Sequence, residues 1–264
     1  APLVGLAALV VLQLFIPIFS FSAFSGMADI IVILYLLLIP ALGIIFGGAA
    51  SGSPYAGVGL SREMVTIISV ELPLLLFLLA IAKAVGSATG GGRTFSINDI
   101  AAYQLANGSL ICKASMIPAA IAMLMIIPGE TGSQPFDAAE AETEICEGLL
   151  TEYSGAPLGV FKLNHAVKML TLTSLFVALF LGGIGSGIAG LVALLGLPAG
   201  LAGALTVLLG AIVMFLLCAL ITIVSMSLVH AVTARLKIEQ IFKYYWTVVS
   251  GLALISVVLA WYGL

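Results

Sequence analysis

Seven runs of about 20 mostly apolar residues leave this chain few folds to choose from. They lie near residues 3–20, 27–49, 64–86, 109–128, 164–184, 200–230 and 244–262. A helix of that length crosses a hydrocarbon core of roughly 30 Å and satisfies its backbone groups internally, which lipid cannot do for it. A membrane β-barrel would instead need strands of about ten residues with alternating polarity. Runs such as DIIVILYLLLIPALGIIFGGAA do not alternate. The expected fold is all-α: a polytopic transmembrane helix bundle of about seven spans. Residues 1–264 form one membrane domain, with an acidic loop at about 129–157.

Composition agrees with the runs. The chain is 62% hydrophobic and 8% charged, with a mean hydropathy of +1.28, whereas soluble domains are about 45–50% apolar. The segment at 185–200 (GSGIAGLVALLGLPAG) is apolar but short and split by Gly and Pro198, so it reads as a connection or re-entrant piece. The opening Ala1-Pro2 has no Met and no basic n-region. The first run is therefore no signal peptide, and the sequence reads as a piece of a longer chain.

Some function classes drop out at this level. The nine Lys and Arg are scattered, with no basic stripe for nucleic acid. Cys112, Cys146 and Cys218 are far apart and form no CxxC, which excludes a local zinc or iron–sulfur motif. The GGG at 90–92 lacks the strand and helix of a phosphate loop. Pairs such as Gly43/Gly47 and Gly196/Gly200 suit close packing of helices.

Seven spans put alternate loops on opposite sides. The loops around 50–63, 129–163 and 231–243 carry Arg62, Lys162, Arg235, Lys237 and Lys243, while the other side receives Lys83 and Arg93. The excess of positive charge expects the first set, including the acidic loop, to be cytoplasmic in a multi-pass cell-membrane protein.

The acids are where chemistry is expected. Glu71 stands about ten residues inside apolar sequence, just before Pro73. A carboxylate at that depth costs several kcal/mol if charged, so it should be protonated, paired or facing water. Pro73 removes the hydrogen bond to the carbonyl of Ser69 and leaves an acceptor for water or a side chain. Arg62 and Glu63 sit near the end of the same run as an interfacial anchor or as part of a site. Arg62 is half a turn off the face of Glu71, so the two should not pair.

Seven of the twelve carboxylates crowd between Glu130 and Glu152, in the stretch that includes PFDAAEAETEICEGLLTEYSG. A helix capped by Asp137 would place Asp137, Glu140, Glu144 and Glu147 within an arc of about 80°. Like charges at those spacings repel by a few tenths of a kcal/mol each. A solvated face is the bland explanation; a row of carboxylates sharing protons is the functional one, and Glu130 would continue that row into the membrane. Lys162, His165 and Lys168 occupy about 120° of the next helix, as an interfacial belt would.

These residues resemble a known family. PFDAAEAETEICEGLLTEYSG, preceded by Glu130-Thr131 and by GLSREMVTIISVELP, is similar to the membrane subunit joining the peripheral and membrane arms of complex I and its hydrogenase relatives. The wording AEAE, EG and TEYSG is closer to the branch of formate hydrogenlyase, membrane-bound and energy-converting hydrogenases and sulfane reductases.

The resemblance implies a non-redox subunit of an ion-translocating oxidoreductase complex, with no cofactor of its own. Iron–sulfur clusters, and nickel–iron in some relatives, would sit in cytoplasmic catalytic partners, with antiporter-like subunits beside it in the bilayer. It further implies a proton or sodium path in which Glu71 and Glu130 match membrane acids, Glu140, Glu142, Glu144 and Glu152 match loop acids, and Arg62 matches an arginine; Asp137 and Glu147 of the crowded row, and Lys168, are expected to join that path.

Two departures are visible. The family has eight spans, so its first is expected to lack a counterpart here. The Asn-Arg that often precedes Pro-Phe-Asp reads Ser133-Gln134, which speaks against a quinone site. Two rival readings stay open: a stand-alone ion-coupled secondary transporter, which would need matching broken helices in two halves, and a purely structural anchor.

Overall fold

The protein is described by a computed structural model covering residues 1–17, 29–88, 94–146, 148–194 and 198–263, with the backbone alone at Glu142, Thr143 and Ala199. No strand occurs among the described residues, only an isolated bridge between Asp29 and Ser96. The elements in chain order are α1 (Pro2–Phe15), α2 (Ile30–Ser51), α3 (Pro54–Ala88), α4 (Ile97–Asn107), α5 (Ile117–Thr131), α6 (Glu142–Ile145), α7 (Gly155–Phe180) and α8 (Ile184–Ala193). Then come α9 (Ala199–Thr222), a π-turn at Ile223–Ser227, α10 (Leu228–Val232), α11 (Ile238–Lys243), a second π-turn at Tyr244–Val249, and α12 (Ser250–Trp261).

Among the described residues, six helices are long and apolar enough to cross a membrane: Ile30–Ser51, Pro54–Ala88, Ala114–Thr131, Gly155–Phe180, Gly200–Val232 and Ile238–Trp261. The first expected run is a helix of 14 residues, Pro2–Phe15; its last residues, 18–20, lie outside the described residues. The apolar connection at 185–200 holds all but the first residue of α8, a helix ten residues long. Arg93, the GGG at 90–92 and Gly196 also lie outside the described residues.

Two helices begin well before their apolar runs. α3 starts at Pro54 rather than near 64, and α7 at Gly155 rather than near 164. The early turns carry Arg62 and Glu63 in α3, and Lys162 and Asn164 in α7. Those polar residues interrupt the apolar pattern, so hydropathy does not reveal the helix they belong to.

α3 is the central post, packed against α2, α5 and α12, while α1 lies between α2 and α7. Phe77 of α3 is fully buried and meets Phe180 with ring centroids 6.5 Å apart. Polar atoms tie the elements where the backbone would otherwise go unpaired. Gln104 of α4, fully buried, donates through Nε2 to the carbonyls of Ala178 (2.9 Å) and Leu179 (3.0 Å) at the end of α7. Asn164 donates to the Pro2 carbonyl at 2.8 Å, fixing α1 to α7.

Close approach is made by glycines. A Cβ on Gly43 would lie 3.3 Å from the Ala1 carbonyl oxygen, and one on Gly47 2.7 Å from the Phe161 ring. Gly200 faces open space. At Gly59 the obstacle is backbone on all sides: a Cβ would lie 3.0 Å from the Ala139 carbonyl oxygen and 3.1 Å from the Leu149 amide. The acidic loop is thus laid directly on α3.

Gly59→Leu should therefore lift the loop while leaving the helices in place. Overpacking of this kind costs about 1–3 kcal/mol. The expected readings are a lower thermal midpoint in detergent and faster protease cleavage within residues 139–152.

Candidate functional site: a charged cavity under the acidic loop

The expected helix from Asp137 does not form. Residues 137–141 are irregular, and the helical part is the single turn α6. Two arginines from other elements divide the acids between them. Arg62 of α3 donates to Glu144 at 2.5 Å and to the Ala138 carbonyl at 3.2 Å. Arg235, between α10 and α11, donates to Asp137 at 3.1 Å, and the neighbouring Leu236 amide donates to the Pro135 carbonyl at 3.1 Å. A helix would have stacked the acids on one face against mutual repulsion; the irregular path gives two of them separate guanidinium partners. The shared arc of four acids is thereby corrected.

Under this loop lies a cavity of about 380 Å³. Its walls are Pro40 and Ile44 of α2, Glu63 of α3, and Glu130, Thr131 and Gly132 at the end of α5. The loop adds Phe136, Asp137, Ala139, Glu140 and Leu150; α7 adds Phe161, Lys162, Asn164, His165 and Lys168. Four carboxylates and two lysines thus line a space inside an otherwise apolar bundle.

The deepest charges are joined. Lys168 Nζ lies 2.9 Å from Glu130 Oε1, with side chains 10% and 6% exposed. Such a pair has given up most of its hydration, a cost that mutual attraction barely offsets, and either partner alone would be an uncompensated buried charge. Among the described residues Lys168 pairs with Glu130 alone, and it is also within electrostatic range of Glu63 and of Glu71. Glu71, half-buried in α3, has no hydrogen bond or ion pair among the described residues and is within electrostatic range of Glu130. Asn164 is buried, and its Oδ1 has no donor among the described residues.

Of the acids picked out in the sequence, Glu130, Asp137 and Glu140 meet at the cavity, together with Lys168. Arg62 and Glu144 pair at its margin, where Glu144 is 56% exposed. Glu152 is exposed. Glu142 has a described backbone only, in α6, and Glu147 lies outside the described residues. Glu71 is not part of the wall.

The belt reading of Lys162, His165 and Lys168 is corrected at Lys168. Their common face is real, but all three line the cavity and Lys168 is buried. Sequence reasoning gave Glu63, Asn164 and Phe136 no definite role in a site. The stripe on α7 was the available signal: three basic side chains on one face, of which Lys168 pairs with a carboxylate.

The two kinds of ion pair should respond differently to mutation. Lys168→Met leaves Glu130 buried without a partner and should cost about 3–5 kcal/mol, much of it recovered in the double variant with Glu130→Gln. Glu144→Gln removes an exposed pair and should cost less than about 1 kcal/mol. Thermal unfolding of the purified protein in detergent measures both; equal losses would mean that Lys168 is not desolvated as described.

Similar proteins carry the same architecture. A family model described as NADH dehydrogenase matches residues 1–261. Hydrogenase-4 component C of Escherichia coli (strain K12) is 39% identical over 181 residues, 68% of this chain and 55% of that protein. An NADH-quinone oxidoreductase subunit of Deinococcus deserti is 33% identical over 234 residues, 88% of this chain and 55% of that protein. The chain thus spans about half the length of the curated relatives it matches. A chain in the structure of the membrane-bound sulfane sulfur reductase, an archaeal respiratory membrane complex, superposes with a TM-score of 0.84 at 29% identity, covering 98% of this chain and 78% of that one. With nearly its whole described length inside the match, this polytopic bundle belongs to the NADH dehydrogenase family.

Proposed function

We propose that this chain anchors and couples an ion-translocating oxidoreductase complex related to complex I, of the membrane-bound hydrogenase or sulfane reductase kind. It holds no redox centre. Cytoplasmic partners carrying iron–sulfur clusters sit against the acidic loop, and antiporter-like subunits continue the path in the membrane. Proton or sodium movement is the output.

The observation that carries this reading is the buried Glu130–Lys168 pair on the wall of a charged cavity. Such pairs stabilise poorly compared with apolar packing of the same volume, and ionisable groups at membrane depth mark ion pathways. The position of Lys168, paired with Glu130 and within range of Glu63 and Glu71, supplies a mechanism. A charge arriving above the loop changes the balance among the loop carboxylates, and Lys168 shifts toward Glu63. Glu130, released from its counter-ion, binds a proton and passes the change to Glu71, which has no hydrogen bond or ion pair among the described residues. Low local dielectric makes each step sensitive to small charge displacements.

Glu71→Gln and Glu130→Gln should lower the number of ions moved per electron by tenfold or so, while soluble-donor oxidation continues. Ion uptake by membrane vesicles, measured beside donor oxidation, tests this. Normal ratios in both variants at normal assembly would defeat the relay. A stand-alone transporter predicts instead that the purified single chain transports ions without partner subunits.

A further inference from the structure

The end of α5, immediately before Glu130, is held by side chains of two other spans. Pro128 has no amide hydrogen, so the carbonyl of Leu124 loses its helical donor. In lipid that carbonyl needs a replacement. Ser225 provides it, donating through Oγ to Leu124 O at 2.8 Å. One residue on, the Tyr245 hydroxyl donates to Met125 O at 3.0 Å and sits against Gly129. A Cβ on Gly129 would collide with that hydroxyl, so the glycine is what admits it.

Both donors stand in π-turns, Ser225 in Ile223–Ser227 and Tyr245 in Tyr244–Val249. A π-turn inserts an extra residue into the helical register and redirects the side chains around it. Here two separate spans are redirected onto adjacent carbonyls of a third. The next backbone groups are closed locally: Thr131 Oγ1 donates to the Ile127 carbonyl, and the Ser133 amide to that of Pro128. The Tyr245 ring is fully buried and rests on Phe136, centroids 5.1 Å apart, which is itself a wall of the charged cavity.

We propose that Ser225 and Tyr245 are positioning residues for Glu130: a two-point clamp that gives a donor to the Leu124 carbonyl freed by Pro128, adds a second donor to the Met125 carbonyl, and sets the register in which Glu130 meets Lys168. This rests on the relay reading for its functional meaning, though not for its geometry. Neither residue lines the charged cavity. The clamp makes the position of Glu130 depend on the spans that carry the two π-turns, so movement of either span is delivered to the ion pair.

The test is made on the full chain in native membranes. Glu130 modification by the membrane-permeant dicyclohexylcarbodiimide is followed by peptide mass spectrometry, since a carboxylate held by an ammonium reacts slowly. Tyr245→Phe with Ser225→Ala should speed labelling about fivefold or more, the shift given by losing a hydrogen bond of ordinary strength. Gly129→Ala, which displaces the hydroxyl without altering Tyr245, should do the same, and Ser225→Thr, which keeps the hydroxyl, should stay near the parent rate. Labelling at the parent rate in both the double variant and Gly129→Ala would overturn the clamp. The ratio of ions moved per electron separates the two ideas. A ratio lowered in Glu130→Gln but untouched in the clamp variants removes the positioning role, whereas an untouched ratio in Glu130→Gln removes the relay and leaves labelling to judge the clamp.

Discussion

A carbonyl inside a bilayer has no water to accept from, and this requirement shapes the molecule from its spans to its site. It selects helices, and it makes every interruption of a helix a place where another element must contribute a donor. α4 does so for α7 through Gln104, and the spans after α8 do so for α5 through Ser225 and Tyr245. The bundle is therefore joined by specific polar contacts as well as by packing, because apolar contact alone gives helices in lipid little reason to prefer one neighbour.

The same scarcity of partners explains the charged cavity. Ionisable groups survive between apolar helices only when each is offered a counter-charge or a cavity. Glu130 has both, Asp137 has Arg235, and Glu71 has half-burial within reach of Lys168. That the chain keeps an ion pair where leucines would pack as well is the physical reason for assigning it work rather than support.

What could be read from the sequence follows from what is local. Apolar runs marked the spans, since period and length need no partner. The carboxylates were visible as candidates by depth or density. Helix starts were not, because Arg62, Glu63, Lys162 and Asn164 are polar residues that break the apolar pattern at the start of α3 and α7. Nor was the loop's path: a helix from Asp137 satisfies every local rule, and it loses to Arg62 and Arg235, which lie 82 and 98 positions away in the chain from Glu144 and Asp137. The Lys168–Glu130 contact joins two helices and leaves no trace in spacing, so α7's basic stripe resembled a headgroup belt until its neighbours were known.

The two arginine grips on the acidic loop are unequal. Glu144 is 56% exposed at the Arg62 end, whereas Asp137 is 14% exposed at the Arg235 end. Dissolved ions weaken an attraction between wet charges and hardly reach one that is mostly sheltered. As ionic strength rises, the Arg62–Glu144 contact weakens first, while the Arg235–Asp137 contact holds. The loop backbone stays seated on Gly59 of α3, so salt loosens one side chain's grip and leaves the loop's path unchanged.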